Sequence, residues 1–362
     1  MTRTLRAVLA RNPNNTILLV FLVVTFVTLS LVLPDKFLSL RNFQSMGSQI
    51  SEFGLLSLAM MLAMLTGGID LSIVAIANLS GILSALCMKR LITSGVWPAE
   101  SLAVLLVAVA VALGVSLLCG LVNGLLISRV GVSPIIATLG GAALYEGIGI
   151  IVTSSRGIVG FPDRFAFLGN GFLSIFPMPF VVFAVAVALF ALIINKTRFG
   201  LTVRMIGANP VAARFSGLNI PRTLTWVYLY SGLLSGISSV IMMSRSNSAK
   251  SGYGSSYVLL SILIAVLGGV NPAGGFGTTT GLVMGIFVLQ FLSSGFNILA
   301  FSPFTQNVIR GTLLLVVMIV GYLLEQRAGR TRRAHRPPFA HGEAPVTGAD
   351  RSSGKVPPAA MS

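Results

Sequence analysis

Apolar residues come in long uninterrupted runs, and the charged residues gather in the short segments between them. The stretches Thr16 to Leu33, Ser101 to Ser128, Phe172 to Ile194, Thr223 to Ser244 and Gly311 to Leu324 hold no charged residue. A helix needs roughly 20 apolar residues to cross a hydrocarbon core ~30 Å thick. The pattern therefore predicts about ten membrane spans, at 16–33, 47–65, 71–88, 101–128, 134–153, 172–194, 223–244, 257–270, 279–297 and 308–324. Only Thr66-Gly67-Gly68-Ile69-Asp70 separates the second from the third, and the eighth is short and ends at Gly268-Gly269. The expected fold is all-α, a polytopic bundle. Pairs at small-xxx-small spacing, Gly120/Gly124, Gly232/Gly236 and Gly277/Gly281/Gly285, let helix backbones approach closely. Gly67-Gly68 and Gly274-Gly275 mark breaks beside helix ends.

Composition agrees. Of 362 residues 54% are hydrophobic and 9% charged, against about 25% charged in soluble domains. The net charge of +16 does not signal nucleic acid, because the basic residues flank apolar runs without aromatic interleaving. That placement sets orientation in a membrane. Arg3, Arg6 and Arg11 precede an apolar run too long for a signal peptide and lacking an A-x-A site, so it reads as an uncleaved first helix. The acid-free loop 195–222, with Lys196, Arg198, Arg204, Arg214 and Arg222, belongs on the same side as the N-terminus. The domains expected are a cytoplasmic segment 1–15, a membrane domain 16–325 and a disordered basic tail 326–362. Cys87 and Cys119 lie in apolar runs and His335 and His341 in the tail, so no metal site is expected.

Polar groups at membrane depth are the candidate chemistry. Asp70, just ahead of a span, reads first as a helix N-cap and second as a solute contact. Glu52 is either structural or gating. Glu146, beside Tyr145, is the strongest functional acid of the three, and an interhelical hydrogen bond explains it equally well. Asn78, Asn123, Gln290, Ser293, Ser294 and Asn297 are neutral groups that suit a path for polyhydroxyl solutes, or interhelical bonds of roughly 0.6 kcal/mol each. Were the three acids to carry protons, the chain would be a secondary transporter instead. No H-E-x-x-H, G-x-S-x-G or G-x-x-x-x-G-K-[ST] occurs, so neither an enzyme nor an ATPase is expected.

One loop segment stands apart. Asn209 is a good N-cap, Pro210 fits the first helical position, Ala212, Ala213, Arg214 and Phe215 continue the turn, and Gly217 ends it before Pro221. A two-turn helix on a loop is either a docking element for a separate motor or an interfacial anchor.

Three segments then carry a resemblance. Gly67-Gly-Ile-Asp-Leu-Ser72 resembles the G-G-[IF]-D-L-S signature of permeases of ribose-type and other simple-sugar ABC importers. Thr197-Arg-Phe-Gly200 with Gly207-Ala-Asn-Pro-Val-Ala-Ala-Arg-Phe-Ser-Gly217 resembles their cytoplasmic loop. Val266-Leu-Gly-Gly-Val-Asn-Pro-Ala-Gly-Gly275, followed by Asn297-Ile-Leu, resembles a third motif in the same order. The likeness runs from about residue 17 to 325. It implies a multi-pass permease of the bacterial inner membrane with both termini cytoplasmic. The chain would bind no cofactor. ATP would be used by partner subunits docked on a coupling helix at Asn209, Pro210, Ala212, Ala213, Arg214 and Gly217. The other partners implied are a second permease copy or paralogue and a periplasmic binding protein that delivers a sugar-like solute. Pentoses, hexoses, sugar alcohols and autoinducer-like sugar derivatives fit equally. The family's spans two to five and seven to ten are inverted repeats, echoed here by Ser133-Pro134 and Ser302-Pro303. A Y-E-L-D segment common in the family is Tyr257-Val258-Leu259-Leu260 here, without acids.

Overall fold

The computed structural model describes residues 13–95 and 97–334. The chain divides into two units, Met1–Met318 and Ile319–Ser362. The second contributes the end of the last helix, described to Ala334; the rest of the expected tail lies outside the described residues. In order, the helices are α1 (Pro13–Val32), α2 (Pro34–Phe37), α3 (Leu40–Leu65), α4 (Ile73–Thr93), α5 (Leu102–Leu125, extended by a π turn Leu126–Val130) and α6 (Pro134–Thr153). Then come α7 (Asp163–Asn170), α8 (Met178–Lys196), α9 (Arg198–Ala208), α10 (Pro210–Phe215), α11 (Ile220–Ser246), α12 (Tyr257–Leu267), α13 (Thr279–Ile298) and α14 (Pro303–Ala334). Two minimal antiparallel pairings join β1 (Ile158–Val159) to the distant β4 (Ser248–Ala249) and, as a hairpin, β2 (Phe172–Leu173) to β3 (Phe176–Pro177).

Among the described residues eight helices are long and apolar enough to cross a membrane, and two shorter ones, Tyr257–Leu267 and Pro303–Ile319, complete the expected ten. The bundle is all-α and polytopic, as the apolar runs predict. Helix ends shift by a few residues at several spans, the third running on to Thr93 and the tenth opening at Pro303, and two starts differ most. The second span starts at Leu40, because Ser39 caps the helix by accepting from the Asn42 amide at 3.3 Å, and the polar turn that follows stays helical. The sixth starts at Met178: residues 172–177 fold back as the β2–β3 hairpin, with Phe172 opposite Pro177 and Ser174 turning at φ 59°. Hydropathy alone does not separate an apolar hairpin from an apolar helix.

The centre is α3 and α11. Of the spanning windows 89% is buried in α3 and 78% in α11. The largest apolar cluster runs along α3 from Ile50 to Leu65 and takes in Val227, Tyr228, Leu263 and Ile264. Glycine spacing sets two crossings. A Cβ on Gly120 of α5 would fall 2.5 Å from the Tyr228 carbonyl oxygen and 3.1 Å from Gly232 Cα of α11. On α13, a Cβ on Gly281 would overlap the Gly268 oxygen, and one on Gly285 would lie 3.0 Å from Ile264 O of α12. Backbones this close exclude any side chain at the contact. Ser133-Pro134 opens α6 beside Gly68, at the α9–α10 end, whereas Ser302-Pro303 opens α14 at the opposite end.

Candidate functional site

Loop 195–222 forms two helices. Thr197 caps α9, accepting from Gly200 N at 3.4 Å, and Asn209 Oδ1 caps α10, accepting from Ala212 N at 3.0 Å, with Pro210 at the first helical position. The Gly217 amide donates to Arg214 O and Leu218 N to Ala213 O, closing α10 with Gly217 at φ 75°. Of the residues sequence assigns here, only Ala213 is buried; Asn209, Pro210, Ala212, Arg214 and Gly217 are exposed. Val211, not singled out from sequence, and Phe215, read there only as continuing the helix, project on one face at 64% and 89% exposure. Residues four apart share a helix face, so α10 presents a small apolar knob beside the Arg214 cation.

Behind the knob the three motif segments meet. A Cβ on Gly207 would overlap the Leu65 carbonyl oxygen at the end of α3 and lie 2.5 Å from Gly275 N. A Cβ on Gly274 (φ 97°) would lie 2.7 Å from Gly67 N and 2.9 Å from Gly207 Cα; one on Gly275 (φ 80°) would lie 2.8 Å from Ala208 Cα. The Gly275 amide donates to Leu65 O at 3.0 Å. The loop helices, the end of α3 and the irregular segment between α12 and α13 are thus joined backbone to backbone.

One step deeper lies a buried polar chain. The Tyr145 hydroxyl donates to Asn123 Oδ1 (2.9 Å), Asn123 Nδ2 to Ser72 Oγ (2.8 Å), and Ser72 Oγ to Asp70 Oδ1 (2.6 Å). Ser231 Oγ donates to Asp70 Oδ2 at 2.6 Å. Asp70 also accepts the Ser72 amide at 3.0 Å, yet it is not the cap residue: α4 begins at Ile73 and the cap position belongs to Ser72. Asp70 and Asn123 are buried and fully occupied with protein partners.

The remaining polar candidates lie toward the other end. Buried Glu52 pairs with Arg245 Nη1 at 2.8 Å, the one ion pair among the described residues, and accepts from the Tyr257 hydroxyl at 2.9 Å. Burial, then the Glu52 carboxylate, raises the nearby Tyr253 phenol above its ordinary range. Asn78 Nδ2 donates to Tyr253 O, Gln290 Nε2 to Gln49 Oε1, and Ser294 Oγ to Asn42 Oδ1. Ser293 Oγ accepts from Arg310, and Asn297 Oδ1 from Gln306 Nε2. Glu146 is exposed on α6, its main-chain oxygen accepting from Ser251 Oγ at 3.4 Å. The three acids share no hydrogen-bond partner. No group of three or more metal-binding side chains occurs among the described residues.

A family profile described as branched-chain amino acid transport system / permease component matches residues 43–318. The chain is 33% identical over 291 residues to the ribose import permease protein RbsC of Bacillus subtilis, covering 80% of this chain and 87% of that one. It is 32% identical over 316 residues to the L-arabinose transport system permease protein AraH of Escherichia coli (87% and 92% covered). Against the galactose/methyl galactoside import permease protein MglC of Haemophilus influenzae it is 30% identical over 295 residues (79% and 88%). No solved structure matches.

Proposed function

Because the chain belongs to the family of branched-chain amino acid transport system permease components, we propose that it is the membrane permease of an ATP-driven importer for a sugar or sugar-like solute. The chain carries no phosphate-binding G-x-x-x-x-G-K-[ST] loop, so separate ATPase subunits supply the energy. The observation that carries this reading is α10: a capped, exposed helix with an apolar face, joined through glycine backbones to α3 and to segment 268–278. A motor subunit that grips Val211, Arg214 and Phe215 then moves the bundle's centre.

The sugar assignment rests on the named relatives, which import ribose, arabinose and galactose. The cytoplasmic position of α10 rests on the five basic residues and absent acids of loop 195–222, which carries it. Asn15 bonds to Thr280 Oγ1 at that same end, which supports a cytoplasmic N-terminus. A second copy or paralogue and a periplasmic binding protein complete the importer. The pathway residues proposed from sequence keep that status. Asn78, Asn123, Gln290 and Asn297 bond within the bundle, Asn297 at an exposed position, while Glu146 is exposed with no hydrogen bond to its carboxylate among the described residues.

The test is uptake by the assembled importer with Arg214→Glu and Gly217→Pro. Both variants are expected to reach the membrane and to lose uptake and, in detergent, the ATPase subunit; normal uptake by both removes the coupling role. Loss in detergent also separates docking from lipid anchoring, since no bilayer is present. A proton-coupled transporter predicts the opposite energetics. Uptake is expected to survive a protonophore and to fail on ATP depletion.

A further inference from the structure

Most polar groups at membrane depth in this bundle are engaged by protein. Among the described residues the buried oxygens of Ser30, Tyr228, Ser239 and Gln290 stand apart without partners, and a separate group of unpartnered side chains gathers at one cavity. A cavity of about 270 Å³ lies between the segment ahead of α12 and the first turns of α14, lined by Ser255, Ser256, Leu259, Asn307, Arg310 and Leu314. No hydrogen bond engages the side chains of Ser255, Ser256 or Asn307 among the described residues, and Ser256, the residue preceding α12, makes no side-chain cap. Arg310 lies about 10 Å inside the start of α14. It spends one terminal nitrogen, donating from Nη2 to Ser293 Oγ at 3.0 Å and to Gln306 Oε1 at 3.3 Å. The rest of its donor fork is unused, and it has no acid partner, because the one ion pair among the described residues is Arg245–Glu52.

A guanidinium within a span costs about 2.5–3.5 kcal/mol against lipid, so it faces protein, water or a ligand. Here a cavity is what it faces. The volume equals roughly nine waters at about 30 Å³ each, the size of a monosaccharide. Two hydroxyls, an amide and a guanidinium supply donors and acceptors for vicinal hydroxyls. No carboxylate lines the cavity, so nothing there receives an ammonium group. The geometry points to a solute-receiving site for a neutral or anionic polyhydroxyl molecule, and not for an amino acid, at the end of the bundle opposite α10. It rests on the sugar-importer reading and specifies where the solute first touches this chain.

Ser256→Cys, made with Cys87→Ser, reads occupancy directly through maleimide labelling of the assembled importer. D-ribose, L-arabinose, D-galactose and L-leucine are the probes, and uptake of each is measured in parallel. The transported sugar is expected to slow labelling at least about threefold, and L-leucine to leave it unchanged. Arg310→Ala is expected to lower uptake about tenfold in an importer that still assembles, and Arg310→Lys to recover part of it. Ser293→Ala and Gln306→Leu break the helix-bridging bonds of Arg310 and are expected to keep uptake; if they reproduce Arg310→Ala, its role is structural and the site is refuted. An importer that carries ribose, arabinose or galactose without protection by that sugar overturns the site alone. One that carries leucine and none of the sugars overturns the sugar-importer reading and the site with it.

Discussion

Gly207→Ala is the sharpest perturbation the coupling junction offers. The added methyl meets backbone on both sides, the Leu65 carbonyl oxygen and the Gly275 nitrogen, so no side chain can rotate away. Gly275 N alone must withdraw from 2.5 Å to the 3.4 Å at which ordinary contact begins, and the Gly275–Leu65 hydrogen bond, now 3.0 Å, lies in the path. Overpacking costs about 1–3 kcal/mol and the lost bond about 1 kcal/mol. The joined arrangement therefore loses about 2–4 kcal/mol against a detached one, about 30- to 700-fold in population at 1.4 kcal/mol per tenfold. The assay is sugar uptake per ATP hydrolysed in proteoliposomes that hold the assembled importer. Membrane insertion and ATPase binding are expected to persist, because α10 keeps its Asn209 cap and exposed face, while uptake per ATP falls at least about tenfold. Gly140→Ala, where an added methyl meets nothing within 4 Å, controls for helix propensity. If uptake per ATP in Gly207→Ala stays within about twofold of that control, the junction does not transmit the motor's stroke.

Two further outcomes concern the buried polar groups, read by thermal unfolding of the purified permease. Glu52→Gln is expected to cost about 2–3 kcal/mol, below the 3–5 of a fully buried pair because Arg245 keeps 28% exposure. Adding Arg245→Met should restore at least half of the loss, and strictly additive losses would refute the pairing. Asp70→Ala strands the Ser72 amide and the Ser72 and Ser231 hydroxyls, for a cost of about 3 kcal/mol. Asp70→Asn, which keeps one acceptor oxygen, should cost clearly less; equal effects would mean the carboxylate's bonds are not what matters there.

The span pattern was legible because each crossing must be apolar along its whole length, and the short eighth span announced its end at Gly268-Gly269. Helix α10 was legible for a local reason: Asn209, Pro210 and Gly217 each fix a backbone conformation by themselves. The hairpin at 172–177 was not, since Phe172, Leu173, Ile175 and Phe176 read as a helix start until their pairing is seen. The polar residues chosen from sequence were those deepest in apolar runs, and depth selects for groups that find a partner, as Asn123 and Gln290 do. Ser255, Ser256 and Asn307 sit at helix starts, where polarity carries no surprise. Arg310, a lone cation inside an expected span, is the residue there that an apolar crossing does not explain. The meeting of Gly67, Gly207 and Gly274-Gly275 joins residues far apart in the chain, and no local rule reports it.

The junction behind α10 has a consequence for specificity. Its contacts are main chain against main chain, so they are indifferent to which side chains α10 displays. On the proposed coupling role, recognition of a motor and relay of its stroke are therefore written in separate residues. Substitutions at Val211, Arg214 and Phe215 can change which ATPase subunit is recruited without retuning the relay. A chimera that exchanges only residues 209–217 between two such permeases inherits the donor's motor and keeps the recipient's cargo.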